Sequence, residues 1–165
     1  MVRVRSATIE DLASLRDCEV QIWESLREWL PDSFVSPNIS FIQRSEYLQG
    51  RQQLFQNKDA ICLMAEEDKH IIGLATGMAR EDGVGMLGFL GVRKEHRKTG
   101  VGSTLLKTFL EEARRRKAHK VWLFTSPNLH PAVRLYVENG FVPEGYMRRH
   151  SYGLDLIIYS KFLNE

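Results

Sequence analysis

The sequence has no apolar run approaching the ~20 residues that cross a bilayer. Its first residues, Met1-Val2-Arg3-Val4-Arg5, hold neither the apolar segment nor the cleavage site of a secretory leader. Cysteine is scarce. Cys18 and Cys62 both fall inside apolar-patterned segments, which excludes a disulfide framework and points to a reducing compartment. No sign of charge dominates: 23 Lys plus Arg against 21 Asp plus Glu leave +2, too near neutral for a dedicated nucleic-acid binder. The basic run Arg114 to Lys117, with Lys120, has no interleaved aromatics for base stacking and reads as a solvated helix end. His70, His96, His119, His130 and His150 show no ligand spacing and no HExxH, so no metal is expected. Repeats, low-complexity tracts and linkers are absent. The expectation is a cytoplasmic protein with neither membrane nor nucleic acid as partner. Its 165 residues, 43% hydrophobic, are enough for one domain over 1–165 that buries ~70% of its unfolded surface.

What is present alternates between strand and helix periods. Val2 to Arg5 reads as a short strand. Thr8, with Glu10 and Asp11 behind it, starts a helix that runs to Leu30, where Pro31 ends it. Pro31, Pro37 and several serines mark 31–40 as a loop, and Ser40 to Gln56 as a second helix. Ala60–Glu66 and Ile71–Met78 flank a polar turn and form a hairpin. Met86 to Val92 is a further strand, in which Gly88 and Gly91 signal a bulge or a close backbone approach. Val101, Leu105, Phe109 and Ala113, with Leu106 and Leu110, give one apolar stripe on a helix over 100–117. A strand at Val121–Thr125, a helix at His130–Asn139 and strands at 141–147 and 152–163 complete the chain. This order predicts an α/β (α+β) fold: a mixed, mostly antiparallel sheet of six to seven strands with about four helices.

The segment Arg97-Lys98-Thr99-Gly100-Val101-Gly102, leading into Ser103, lies between a strand and the amphipathic helix. A helix start leaves backbone N–H groups unpaired at the positive end of its dipole, and glycines let a ligand approach the backbone closely. A diphosphate is the natural guest. The pattern is not a P-loop, which needs GxxxxGK[ST]. A literal GxGxxG at Gly83–Gly88 leads into a strand rather than a helix, so the dinucleotide-binding context is missing.

Residues 86–142 resemble the Gcn5-related N-acetyltransferase superfamily. Leu90-Gly91-Val92 resembles its strand that ends at the cofactor. Arg97 to Gly102 fits its [QR]-x-x-G-x-[GA] signature. Asn128, Ala132, Leu135-Tyr136 and Asn139-Gly140-Phe141 resemble its closing strand-helix segment. The resemblance implies acetyl-coenzyme A as co-substrate, no metal, and a sheet splayed between its fourth and fifth strands. The gap would hold the pantetheine arm against Leu90, Gly91 and Val92, as an added strand is held. The Val92 N–H would polarise the thioester carbonyl, Tyr136 would protonate the leaving sulfur, and Asn128 would contact the cofactor arm. The acceptor would be a small-molecule or peptide amine, attacking directly in a ternary complex. Many members place a glutamate base on the strand before the signature. Here Met86 to Leu90 carries no carboxylate, leaving Glu81, Asp82 or Glu28 as bases acting at a distance. Trp29 and Phe34 are candidates for the acceptor pocket, and a homodimer is a common family state. The missing glutamate also admits a rival reading, a non-catalytic acyl-coenzyme A sensor or interaction module.

Overall fold

Seven strands form one sheet in the order β1-β2-β3-β4-β5-β7-β6 in the computed structural model, which describes residues 1–164. Glu165, the last residue of the expected domain, lies outside the described residues. The elements follow in chain order. They are β1 (Arg3–Ser6), α1 (Leu12–Ser25), α2 (Asp32–Ile42), α3 (Ser45–Gln56), β2 (Ala60–Glu67), β3 (His70–Ala79) and β4 (Val84–Val92). After these come α4 (Val101–Arg115), β5 (Lys120–Thr125), α5 (His130–Glu138), β6 (Val142–Ser151) and β7 (Leu154–Phe162). Every neighbouring pair is antiparallel except β4 and β5, which run parallel with α4 as their crossover. The mixed sheet expected from the sequence is therefore present. No helix among the described residues is long and apolar enough to cross a membrane.

Helices cover both faces. On one, the stripe of α4 (Val101, Leu105, Leu106, Phe109, Leu110, Ala113) packs with Tyr136 of α5 on Ile61, Ala75, Leu87, Val121 and Leu123. On the other, Leu15, Cys18 and Ile22 of α1 pack on Met64, Ile71 and Leu74, while Val35 and Ile39 of α2 meet Leu154 and Leu156 of β7. The Asp11 carboxylate fixes the start of α1 by accepting the Thr8 N–H at 2.8 Å and two Arg5 donors, each at 2.8 Å.

Residues 31–40, expected as a loop, are mostly helix. The first helix stops at Ser25, a short 3-10 turn follows, and the expected helix over 40–56 is divided between α2 and α3. Pro31, in extended backbone, precedes the first turn of α2, where it costs nothing. Pro37 sits inside α2, at a cost of about 3 kcal/mol. Burial of Val35, Ile39 and Ile42 on one stripe returns about 5–9 kcal/mol, so packing outweighs propensity.

Two glycines test this packing. A methyl group on Gly77 would stand 2.1 Å from the Met86 carbonyl oxygen and 2.7 Å from the Phe109 ring, whereas one on Gly50, within α3, would meet nothing within 4 Å. Gly77→Ala is expected to lower unfolding stability by about 3 kcal/mol or more. Gly50→Ala should raise it by about 0.5–1 kcal/mol. Urea denaturation at constant m-value measures both.

Candidate active site

The parallel pair β4–β5 is hydrogen-bonded over only three positions, Val84–Met86 against Lys120–Trp122. Beyond them β4 stays with β3 up to Val92, and β5 stays with β7 up to Thr125. Each strand is held by its outer neighbour, so the two diverge into a fork closed at the Val84 end. A bulge contributes. The β3–β4 register passes from Thr76↔Phe89 to Gly77↔Leu87, leaving Gly88 as the extra residue. Of the two glycines that signal an irregularity in β4, Gly88 is therefore the bulge. The Arg93 N–H donates to Ile72 O at 2.8 Å, on the β3 side. By strand alternation the Gly91 and Phe89 amides also face β3, and Leu90 and Val92 turn their N–H and C=O groups into the fork.

At the fork mouth the chain bends through Lys98 (φ +61°) and Gly100 (φ +88°) into α4. The six successive N–H groups from Lys98 to Ser103 have no hydrogen-bond partner among the described residues, and the first helical bond comes from Thr104 to Gly100 O. Consecutive free amides at a helix start form a concave anion site. Thr99 spends its hydroxyl on the His96 carbonyl at 2.6 Å. Val101 is buried in the core beneath the loop, and Leu135 of α5 stands 3.6 Å from where a Gly102 methyl would be. The Arg97 side chain does not join the loop. Its Nε donates to Val92 O at 3.0 Å, Nη2 to the Ser25 hydroxyl, and its guanidinium lies 5.4 Å from the Trp29 ring centre.

Tyr136 is buried in the core cluster that also holds Val92, and no described side chain bonds its hydroxyl. Burial alone pushes its pKa up, so the phenol keeps its proton. Asn128 follows β5, exposed, with its N–H on the Ser126 hydroxyl at 3.2 Å and its side-chain amide unengaged. Neither cysteine is an available nucleophile: burial pushes the Cys18 thiol up and the Cys62 thiol up to about 11.

The α1–α2 side of the fork is aromatic. Trp23 lies 5.8 Å from Phe34 and 6.0 Å from Phe89, and Phe34 meets Tyr152 of the β6–β7 turn edge-on at 6.1 Å. The structure therefore brings Phe34 to one wall with β4. Trp29 packs with Trp23 and Phe34 on the same apolar cluster and lies under the Arg97 guanidinium, and Glu28, its neighbour in sequence, lies 3.7 Å from Lys94. Nothing in the sequence pattern marks Ser25 or Phe89 as members. Glu81 and Asp82 are excluded from the site. They occupy the β3–β4 turn past the closed end of the fork, about 30 Å of strand from Val92. There Glu81 pairs with Lys58, while Asp82 pairs with Arg80 at 2.8 Å and accepts the Val84 N–H at 3.0 Å. Nearness in sequence to β4 made them candidates, but an extended strand carries its two ends far apart.

A family model described as "Acetyltransferase (GNAT) family" matches residues 23–141. A Bacillus subtilis (strain 168) protein named "Putative ribosomal protein bS18-alanine N-acetyltransferase" is 26% identical over 165 residues, covering 98% of this chain and 96% of that protein. The crystal structure of the PaiA N-acetyltransferase of Thermoplasma acidophilum in complex with coenzyme A superposes with a TM-score of 0.82 at 19% identity, over 98% of this chain and 99% of that one. The ribosomal-protein-alanine N-acetyltransferase of Brucella melitensis superposes with a TM-score of 0.73 at 25% identity, over 98% and 99%.

The loop geometry predicts an asymmetry between its glycines. Gly100→Ala forces a left-handed backbone on a residue with a Cβ and should weaken coenzyme A binding about tenfold, the equivalent of ~1.4 kcal/mol. A Gly102 methyl would meet Leu135 and Val92 at ordinary contact distances of 3.6 and 3.7 Å, so Gly102→Ala should leave affinity within about threefold. Titration calorimetry reads both.

Proposed function

The chain belongs to the acetyltransferase (GNAT) family, and from that premise we propose that it transfers the acetyl group of acetyl-coenzyme A to a primary amine by direct attack in a ternary complex. The observation that carries this reading is the fork, with its unpaired backbone edge leading straight to six free amides. Those amides suit a diphosphate, with the Ser103 hydroxyl beside them. The N–H and C=O of Leu90 and the N–H of Val92, flanked by Gly91, suit an arm that carries two amides, the Val92 carbonyl being held by Arg97. Acetyl-coenzyme A supplies an activated thioester carbonyl. Of the two fork-facing amides, Val92 stands at the mouth and Leu90 about 6.6 Å deeper. Because the arm extends inward from the loop, we assign the Val92 N–H to the arm and the Leu90 N–H to the thioester oxygen. This revises the role the family resemblance gave Val92. Tyr136 then gives its proton to the departing sulfur, and Asn128 steadies the arm from the β5 side.

The lips of the fork, 87–92 and 123–126, hold no carboxylate and no histidine. An amine must therefore arrive neutral. At pH 7.5 about a third of an α-amine is unprotonated, against about 0.1% of a lysine side chain. We infer an acceptor with an α-amine, such as a peptide N-terminus, in accord with the alanine N-acetyltransferases to which the chain is similar. The same missing base favours a second reading, an acyl-coenzyme A sensor without catalysis.

Tyr136→Phe decides between the two. It should lower kcat at least ~100-fold while coenzyme A affinity stays within about threefold. Binding with no acetylation of any amine, read as thiol release, would establish the sensor. In the catalytic case the rate should rise with pH through the acceptor's own pKa. No alkaline loss should set in below the ordinary tyrosine range near 10, because burial holds the Tyr136 pKa above it.

A further inference from the structure

Arg97 opens the phosphate loop by its backbone, yet its guanidinium is spent elsewhere. Nε caps the Val92 carbonyl at 3.0 Å, the one fork-facing acceptor at the mouth of β4. Nη2 reaches the hydroxyl of Ser25, the last residue of α1, which itself donates to Ile22 O at 2.5 Å. The guanidinium also lies over the ring of Trp29. Ile22 presses on the same stretch of strand: a Gly91 methyl would stand 2.7 Å from its Cγ2. One side chain thus ties together the end of β4, the end of α1 and the aromatic wall, and its own backbone leads directly into the free amides of Lys98 to Ser103.

Stability alone does not account for this choice of residue. Nη1 is buried with no partner, and desolvation lowers the Arg97 pKa even against the opposing pull of the Glu28 and Glu95 carboxylates. A structural tie could have been made by a group with no idle donor.

We propose that Arg97 is a positioning residue that couples the diphosphate loop to the acceptor wall, so that seating the diphosphate also fixes Trp29 and the turn between α1 and α2. The proposal rests on the reading of the fork as the coenzyme A site. Arg97 acts on the transfer through two others, Val92 and Trp29. Capping the Val92 carbonyl fixes the peptide plane at the mouth of the fork, and stacking on Trp29 fixes the wall against which the amine is oriented.

Hydrogen exchange on the full chain, with and without coenzyme A, tests it without knowledge of the acceptor. The Trp29 and Leu30 amides, both bonded to Leu26 O at 2.9 Å, report on the wall. In the unaltered protein coenzyme A should slow exchange at least fivefold both at 98–103 and at 26–31. In Arg97→Lys the loop should remain protected and affinity stay within about threefold, while the response at 26–31 disappears. Ser25→Ala, which cuts the far anchor and leaves Arg97 on Val92, should abolish that response in the same way. It also provides the test if Arg97→Lys fails to fold. A response at 26–31 that survives in either variant overturns the coupling. So does a collapse of affinity in Arg97→Lys, which would make the guanidinium a direct ligand. Protection at 98–103 alone in the unaltered protein overturns the coupling but leaves the fork reading intact. Protection nowhere removes both.

Discussion

Two parallel strands that share three hydrogen-bonded positions and then part company set the terms for the rest of this molecule. Leaving a strand edge unpaired inside a sheet is costly, since each backbone amide or carbonyl must find a partner or water. The divergence persists because other contacts insist on it. β4 is committed to β3 through Val92 and β5 to β7 through Thr125, and both commitments are antiparallel ladders longer than the shared one. The helices enforce the same geometry from both sides. The α4 cluster spans Leu87 and Val92 on one prong and Val121 and Leu123 on the other, so neither can rotate back without opening the core. Across the sheet, α2 rests on β7 while α1 rests on β2 and β3. The fork is therefore over-determined, and its free edge is a consequence of packing rather than a local defect.

That origin explains why recognition there would fall to backbone more than to side chains. The sequence crowds basic residues around the loop, yet the structure turns two of them elsewhere. Arg97 is turned to Val92 and Ser25, and Lys94 lies 3.7 Å from Glu28. Lys98, exposed and in left-handed backbone, stays with the loop. Six oriented amides at a helix start hold an anion through fixed dipoles that need no side-chain ordering, so little conformational entropy is lost when one binds.

The legible parts of the fold were those with strong periodicity. The stripe of α4, the hairpin of β2 and β3, and the glycine-rich turn into α4 all lie close to where the sequence puts them, because one face or one turn decides each. The rest depended on partners distant in sequence. The prolines of 31–40 argue for a loop until Leu154 and Leu156, more than a hundred residues on, supply the surface that makes a helix there worthwhile. Gly88 and Gly91 carry the same local signal, and only the β3 register tells the bulge from the close approach: Gly88 is the extra residue, and Gly91 is the one against Ile22. Arg97 satisfies a linear signature, but a signature cannot say that its side chain leaves the loop. Asn128 follows β5 and Tyr136 lies on α5, and the roles proposed for them rest on chemistry, not on contacts within the chain.

The absence of a base on the fork need not leave the acceptor protonated. Trp23, Phe34, Phe89 and Tyr152 make the wall through which an amine would approach, and an apolar wall strips water from whatever enters. Desolvation disfavours an ammonium far more than an amine, lowering its pKa in the way it lowers that of a buried lysine. Lips without a carboxylate also spare the entering amine an opposite charge in contact that would hold its proton in place. Two features that look like a deficiency, no acid-base residue on the lips and a ring of hydrocarbon beside them, therefore work in one direction. They favour the neutral nucleophile, and most strongly for amines that are weakly basic before they arrive.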